Sequence, residues 1–232
     1  FHDEKYIKMK NYLFNYLNRK RLIKFYSVPF LKNMQKILDV GCGTSPVTPI
    51  FNKTLFIDIS KEALKVLEKK GYKTAFGSVT KIPLENDSVD AVFCSEVLEH
   101  VKDYKKGLEE ISRVLKKNGM AFITVPCWEE YWNIDDDFVG HYRRFEPNDL
   151  IKELNQKKLK VIKVKKMGSI LERALTTSVV KKFKNKKQES KIPMFLFIPI
   201  NYILSIMITI STFVSSYRKS SILLFICKKY ST

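Results

Sequence analysis

The sequence predicts an α/β protein, a mostly parallel sheet with helices packed on both faces. Three observations predict it. Short apolar runs of strand length alternate with amphipathic helical stretches through residues 36–165. A glycine-rich turn, "LDVGCGTSP", follows the first of those runs, and the second run ends in an acidic residue, Asp58. A chain of 232 residues suits one such domain carrying an insertion.

The elements follow in order. Tyr6, Met9, Leu13, Tyr16 and Leu17 recur near the helical period, so residues 6–32 read as helical. "KILDV" (36–40) and "TLFIDI" (54–59) are the first two strands, and the glycine turn between them leads into a weakly marked helix start. "KEALKVLEKKG" is a helix stopped by Gly71. "YKTAFG" and "VDAVFC" (89–94) are strands three and four. "DYKKGLEEISRVLKKNG" puts Tyr104, Leu108, Ile111 and Leu115 on one face and predicts a helix running to Gly119, with "MAFITV" (120–125) as strand five. "EPNDLIKELNQKKL" is a helix opened by Pro147, and "KVIKV" (160–164) and "SILLFIC" (221–227) supply the last two strands.

The segment between those two strands is too long for a plain connection. Residues 169–217 are therefore read as a basic and apolar helical insertion, residues 1–35 as an N-terminal helical segment, and 36–168 with 218–232 as the α/β domain. Charge is uneven: residues 151–232 hold +15 of the chain's net +18, which either faces an anionic partner (nucleic acid, acidic lipid headgroups or a phosphorylated substrate) or is simply solvated. The four cysteines show no CxxC spacing and sit in or beside apolar runs, so neither disulfides nor a zinc site is expected, and a reducing, cytoplasmic setting is.

Gly41 and Gly43 allow a tight turn and close approach of a ligand to the backbone, and Asp58 can accept both hydroxyls of a ribose. An adenosine-containing cofactor follows. A dinucleotide fingerprint wants a third glycine where this chain has Pro46, so a cofactor without phosphates, S-adenosylmethionine, fits better.

"KILDVGCGTS", "FIDIS", "IPLENDSVDAVFCSEVLEHV" and "LKKNGMAFITVP", in that order, resemble successive motifs of class I S-adenosylmethionine-dependent methyltransferases of the type 11 group. The resemblance implies a Rossmann-like seven-stranded sheet in order 3-2-1-4-5-7-6, with strand seven antiparallel. It places Gly41 and Gly43 beside the methionine part of the cofactor and Asp58 on its ribose. The family's acidic residue after strand three is replaced by "GSV", which leaves Ser78 or the backbone of Val79 for the adenine. The cofactor-binding set is thus Asp39, Gly41, Gly43, Asp58, Ser78, Val79 and Ser95.

"CSEVLEH" sets Ser95, Glu96, Glu99 and His100 at the carboxyl end of strand four, the rim where open α/β sheets bind ligands. His100 is the candidate base, because its pKa lies near neutrality; the competing reading has Glu99 and His100 capping the next helix. The same ExxEH spacing resembles the metal-binding pattern of small-RNA 2′-O-methyltransferases and ubiquinone-pathway O-methyltransferases. Glu96, Glu99 and His100 would be the ligands. The reading without a metal is preferred, since a second histidine would have to come from His141. "HYRRF" resembles a signature of type 11 members in glycan and lipid biosynthesis. Arg143 or Arg144 would clamp a phosphate or carboxylate, with His141 as an alternative base. The competing reading is an Arg–Asp network that stiffens the loop.

The base-methylation motif [DN]PP[YFW] is missing after strand four, which disfavours a nucleic-acid substrate. RNA methylation stays as the alternative, with a non-catalytic membrane scaffold as another. Ile192 to Tyr217 carries no charge and tempts a transmembrane reading. Two strands of one sheet flank it, so a single crossing is excluded. With Pro193 and Pro199 breaking its start, it predicts a shorter helix carrying a polar stripe of Asn201, Ser205, Thr209, Thr212 and Ser216. The expectation is a peripheral helix on the inner face of the cell membrane, beside Lys181, Lys182, Lys184, Lys186 and Lys187, with a buried helical subdomain or a homodimer contact as the alternative. The substrate expected is a small amphipathic or lipid-linked acceptor such as a glycolipid, polyprenyl-sugar or quinone precursor.

Overall fold

The computed structural model describes residues 9–185 and 193–230; Tyr6, Lys186 and Lys187 of the expectations above lie outside them. Helix α1 (Phe14–Ser27) leads into strand β1 (Ile37–Val40). Then come β2 (Thr54–Asp58), α2 (Lys61–Glu68), β3 (Lys73–Phe76) and β4 (Val89–Ser95). The chain continues through α3 (Tyr104–Val114), β5 (Leu115–Pro126), α4 (Ile134–Val139), α5 (Pro147–Gln156) and β6 (Leu159–Lys166). Helices α6 (Ile170–Asn185) and α7 (Met194–Val214) precede the last strand, β7 (Ile222–Lys229).

The seven strands form one sheet in the order β3-β2-β1-β4-β5-β7-β6. Strands β1 to β5 pair in parallel, and β7 runs antiparallel to both its neighbours. This is the expected order, with the helical insertion in front of the last strand. Alternation along each strand sorts the core into two layers. Leu38, Val40, Val92 and Ile123 face Leu108 and Ile111 of α3 and Leu150 and Leu154 of α5. Ile37, Phe93 and Phe122 face Leu22 and Ile23 of α1 on the other side. Phe93 and Phe122 stack at 4.7 Å between centroids. Burying each such side chain stabilises the fold by roughly 1.5–3 kcal/mol.

Four expectations need correction. The helix expected to run to Gly119 ends at Val114, and Leu115 already belongs to β5, fully buried and paired with Val89 across a register shift. Burial of Leu115 outweighs helical continuation. Gly119 is no helix stop: a Cβ there would meet the carbonyl oxygens of Lys116 at 2.8 Å and Asp90 at 3.0 Å, so it permits a close backbone crossing. No α-helix forms between β1 and β2, only a 3-10 turn at Phe51–Lys53; Pro46 and Pro49 cannot supply helical N–H groups, and Asp39 takes those of Val47 and Thr48 instead. The N-terminal helix stops at Ser27, where Val28–Phe30 tighten to a 3-10 turn around Pro29. Finally, α7 starts at Met194 and runs through Pro199, which lies inside the helix and does not end it.

Candidate active site

The carboxyl ends of β1, β4 and β5 open onto a cavity of about 300 Å³. On the β1 side, Gly41 and Gly43 hold φ of +70° and +54°. A Cβ on Gly41 would lie 2.4 Å from Val97 Cγ2, whereas space is open beside Gly43. The turn is pinned from β2: Asp58 accepts the Gly43 N–H at 2.7 Å and the Ser60 N–H at 2.8 Å. Asp39 lines the cavity floor and holds the loop by accepting Val47 and Thr48 N–H groups. Burial pushes its carboxyl up to about 7 despite those two bonds, with Asp58 adding to the rise.

The β4 side carries the titratable groups. Glu99 is fully buried, and neither carboxylate oxygen has a hydrogen-bond partner. Burial first, and the Glu96 charge second, raise its pKa well above the carboxylate range. His100 and His141 meet edge to face with centroids 4.6 Å apart, and His141 Nε2 lies 3.9 Å from Glu99. Ligand atoms of Glu99, His100 and His141 fall within 4.8 Å of one another. Burial lowers the His100 pKa, and His141 lowers it further. Glu96 turns away from this cluster to pair with Arg19 at 3.3 Å. It holds φ of +55°, and Trp128 at the end of β5 holds +68°; such backbone costs on the order of 1–3 kcal/mol each and gathers at functional rims.

Asp136, fully buried in α4, organises the loop after β5. It binds His141 Nδ1 at 2.7 Å and Arg144 at 2.8 and 3.0 Å. Burial alone would raise its pKa, yet the hydrogen bonds from His141 and Arg144 hold it below the usual range. The Arg–Asp network read from the sequence thus exists, and it aims His141 Nε2 at Glu99. Arg144 lines the cavity. Arg143 does not: its guanidinium binds the carbonyls of Val101 and Lys102 and stacks over Tyr104.

Asp39, Gly41, Gly43, Ser95, His100, His141 and Arg144 therefore meet in one cavity. Asp58 stands one hydrogen bond behind Gly43. Ser78 and Val79 lie beyond it: Gly77 N–H donates to the Asp58 carbonyl at 3.1 Å, Ser78 bonds Thr80, and the Val79 side chain packs in the core. Sequence reasoning missed the roof, made by Tyr16 and Arg19 of α1 and by Glu172 and Arg173 of α6. Glu172 is bound by Asn18 at 3.0 Å, and burial raises its pKa to about 8. A signal existed, because Glu172 is one of three acids in residues 151–232.

Positive-φ glycines beneath an open space, with an aspartate pinned behind them, fit S-adenosylmethionine. The sheet order and the glycine turn together match the fold of class I S-adenosylmethionine-dependent methyltransferases. Residues 38–123 match the model of a methyltransferase domain, type 11. The chain is similar to the uncharacterized methyltransferase YcgJ of Bacillus subtilis, 26% identical over 51% of this chain and 51% of the relative. It is 30% identical to the demethylmenaquinone methyltransferase of Staphylococcus carnosus over 52% of this chain and 56% of that one. Among solved structures it resembles a Thermotoga maritima S-adenosylmethionine-dependent methyltransferase described as a possible histamine N-methyltransferase, with TM-score 0.66, 17% identity, and 97% and 93% of the two chains covered. The chain spans about half the length of the curated relatives it matches first, 43%, 51% and 40% of them.

Proposed function

We propose that the protein methylates an oxygen or nitrogen of a small amphipathic acceptor, of the quinone-precursor or lipid-linked kind. The observation that carries this is the single cavity joining the glycine turn of β1 to His100, His141 and Arg144. Gly41, Gly43 and Asp58 would hold S-adenosylmethionine, which supplies an electrophilic methyl group on a sulfonium. The chain's own residues then align the acceptor and take its proton. Alignment matters most in an in-line displacement. His100 is the base, and Arg144, fixed by Asp136, pairs with an anionic group on the acceptor. The roof of α1 and α6 covers the site, with Glu172 buried in it. Similarity to a demethylmenaquinone methyltransferase supports the quinone-type acceptor.

A second reading adds a divalent ion. It is favoured by the buried, unpartnered carboxylate of Glu99 beside two histidines, one of them oriented by Asp136 in the manner of a metal ligand. Bound there, an ion would polarise an acceptor oxygen. Titration calorimetry with S-adenosylmethionine, followed by transfer of labelled methyl into a lipid extract with and without chelator, tests both readings. Failure to bind the cofactor refutes catalysis and leaves a scaffold; label entering RNA instead refutes the acceptor class. Activity indifferent to chelator and to added Mg²⁺ or Zn²⁺ refutes the ion.

A further inference from the structure

Helix α7 is inside out. A helix on a water-facing domain turns its apolar stripe to the core. Here Asn201, Ser205 and Thr212 are buried beside Phe197 and Ile208, and the polar stripe faces α1. Arg21 donates to Thr209 Oγ1 at 2.7 Å and to Ser205 Oγ at 3.0 Å, Thr209 donates to Asn18 at 2.9 Å, and Asn201 accepts the Phe14 N–H at 3.1 Å. The apolar side points outward. Phe195 is 74% exposed, Ile203 58%, Ile210 59% and Val214 81%. The patch continues onto α1, where exposed Phe25 packs edge-on against Phe213 at 6.1 Å.

We propose that α7 is a membrane-contact helix lying in the plane of an anionic lipid surface, its outward face sunk into the acyl boundary. Among the described residues it is the one helix long and apolar enough to cross a bilayer, but its surroundings forbid crossing. Strands β6 and β7, which flank the insertion, pair in one sheet. Helix α1 lies alongside and would carry Arg19, Lys20, Arg21 and Lys24 into hydrocarbon. Lying flat satisfies both faces.

Charge selects the occupant. Lys166 binds the carbonyls of Phe213 and Ser215 at the end of α7, Lys165 sits over Tyr26 of α1, and Arg218 and Lys219 follow directly. This basic rim suits acidic headgroups. A second copy seated on the same face would bring two such rims together, a like-charge contact. The inference goes beyond the methyl-transfer reading and does not depend on it, because membrane binding needs no cofactor.

The test is flotation of the full chain with phosphatidylcholine vesicles, with or without about a third phosphatidylserine. The expected result is binding to the acidic vesicles, weakened by salt, and reduced roughly tenfold or more by I203E/I210E. Both positions are more than half exposed, so the variant should keep its melting temperature and its cofactor affinity. Trypsin added outside should cut the basic segments on both sides of α7. Equal flotation of wild type and variant would overturn the proposal. So would protection of one flank, which means crossing, or a dimer dispersed by I203E/I210E in a chain that ignores vesicles.

Discussion

Asp136→Asn tests whether one buried carboxylate holds the acceptor side of the site together. Asp136 has no exposed side-chain surface, and its partner Arg144 is 5% exposed. Breaking a buried ion pair from one side costs about 3–5 kcal/mol, since the remaining charge stays out of water. The asparagine keeps the shape but cannot balance Arg144, whose other acceptors, the carbonyls of Cys127 and Ser221, both stand at 3.4 Å. At about 2–4 °C per kcal/mol for a chain of this size, melting should fall by roughly 6–20 °C. Differential scanning calorimetry reads that shift. S-adenosylmethionine affinity, measured on the same sample below the transition, should stay within about threefold, because Asp136 touches nothing in the glycine turn. Adding Arg144→Gln should restore part of the stability while methyl transfer stays lost. A variant that melts within about 2 °C of wild type and methylates normally would refute the assignment of Asp136 as the organiser of His141 and Arg144.

Three further outcomes follow from named contacts. Asp58→Ala removes the acceptor of the Gly43 N–H and should weaken cofactor binding about tenfold or more by calorimetry, as expected for a lost charged hydrogen bond. Gly41→Ala should destabilise the fold by about 1–2 kcal/mol from its left-handed backbone alone, with the Val97 contact adding to it; Val97→Ala in the same chain should recover only the steric part, read as a denaturant midpoint. Asp39 and Glu172 have folded pKa values raised to about 7 and about 8. The folded state therefore binds more protons than the unfolded state above the ordinary carboxylate range. Their contribution should fall as pH rises from about 4 toward 8, and Glu172→Gln should flatten the upper part of that decline in a pH series of denaturation curves.

Much of this protein was legible locally. Strand and helix periods gave the elements, and the spacing of Gly41, Gly43 and Asp58 marked the glycine turn, because these patterns reflect backbone geometry within a few residues. The polar stripe of α7 was equally visible, since helical spacing alone aligns Asn201, Ser205, Thr209 and Thr212. Where burial competed with local propensity, the reading failed. Leu115 left a good helical pattern for a place beside Val89, and Pro199 stayed inside α7.

The site depended on longer reach. His141 lies far along the chain from Glu99, and only the packing of the loop after β5 against β4 makes them neighbours. Arg143 and Arg144 are adjacent and chemically identical in sequence; tertiary structure sends one to the carbonyls of Val101 and Lys102 and the other to Asp136 and the cavity. The roof needed α1 and α6 to fold over the sheet from opposite parts of the chain. By itself, then, the sequence determined the parallel sheet, its glycine turn and the apolar character of α7, all set by short-range periodicity and backbone conformation. Tertiary structure alone decided which titratable groups meet and which face of α7 looks outward, because those outcomes depend on burial and pairing between residues that no local spacing connects.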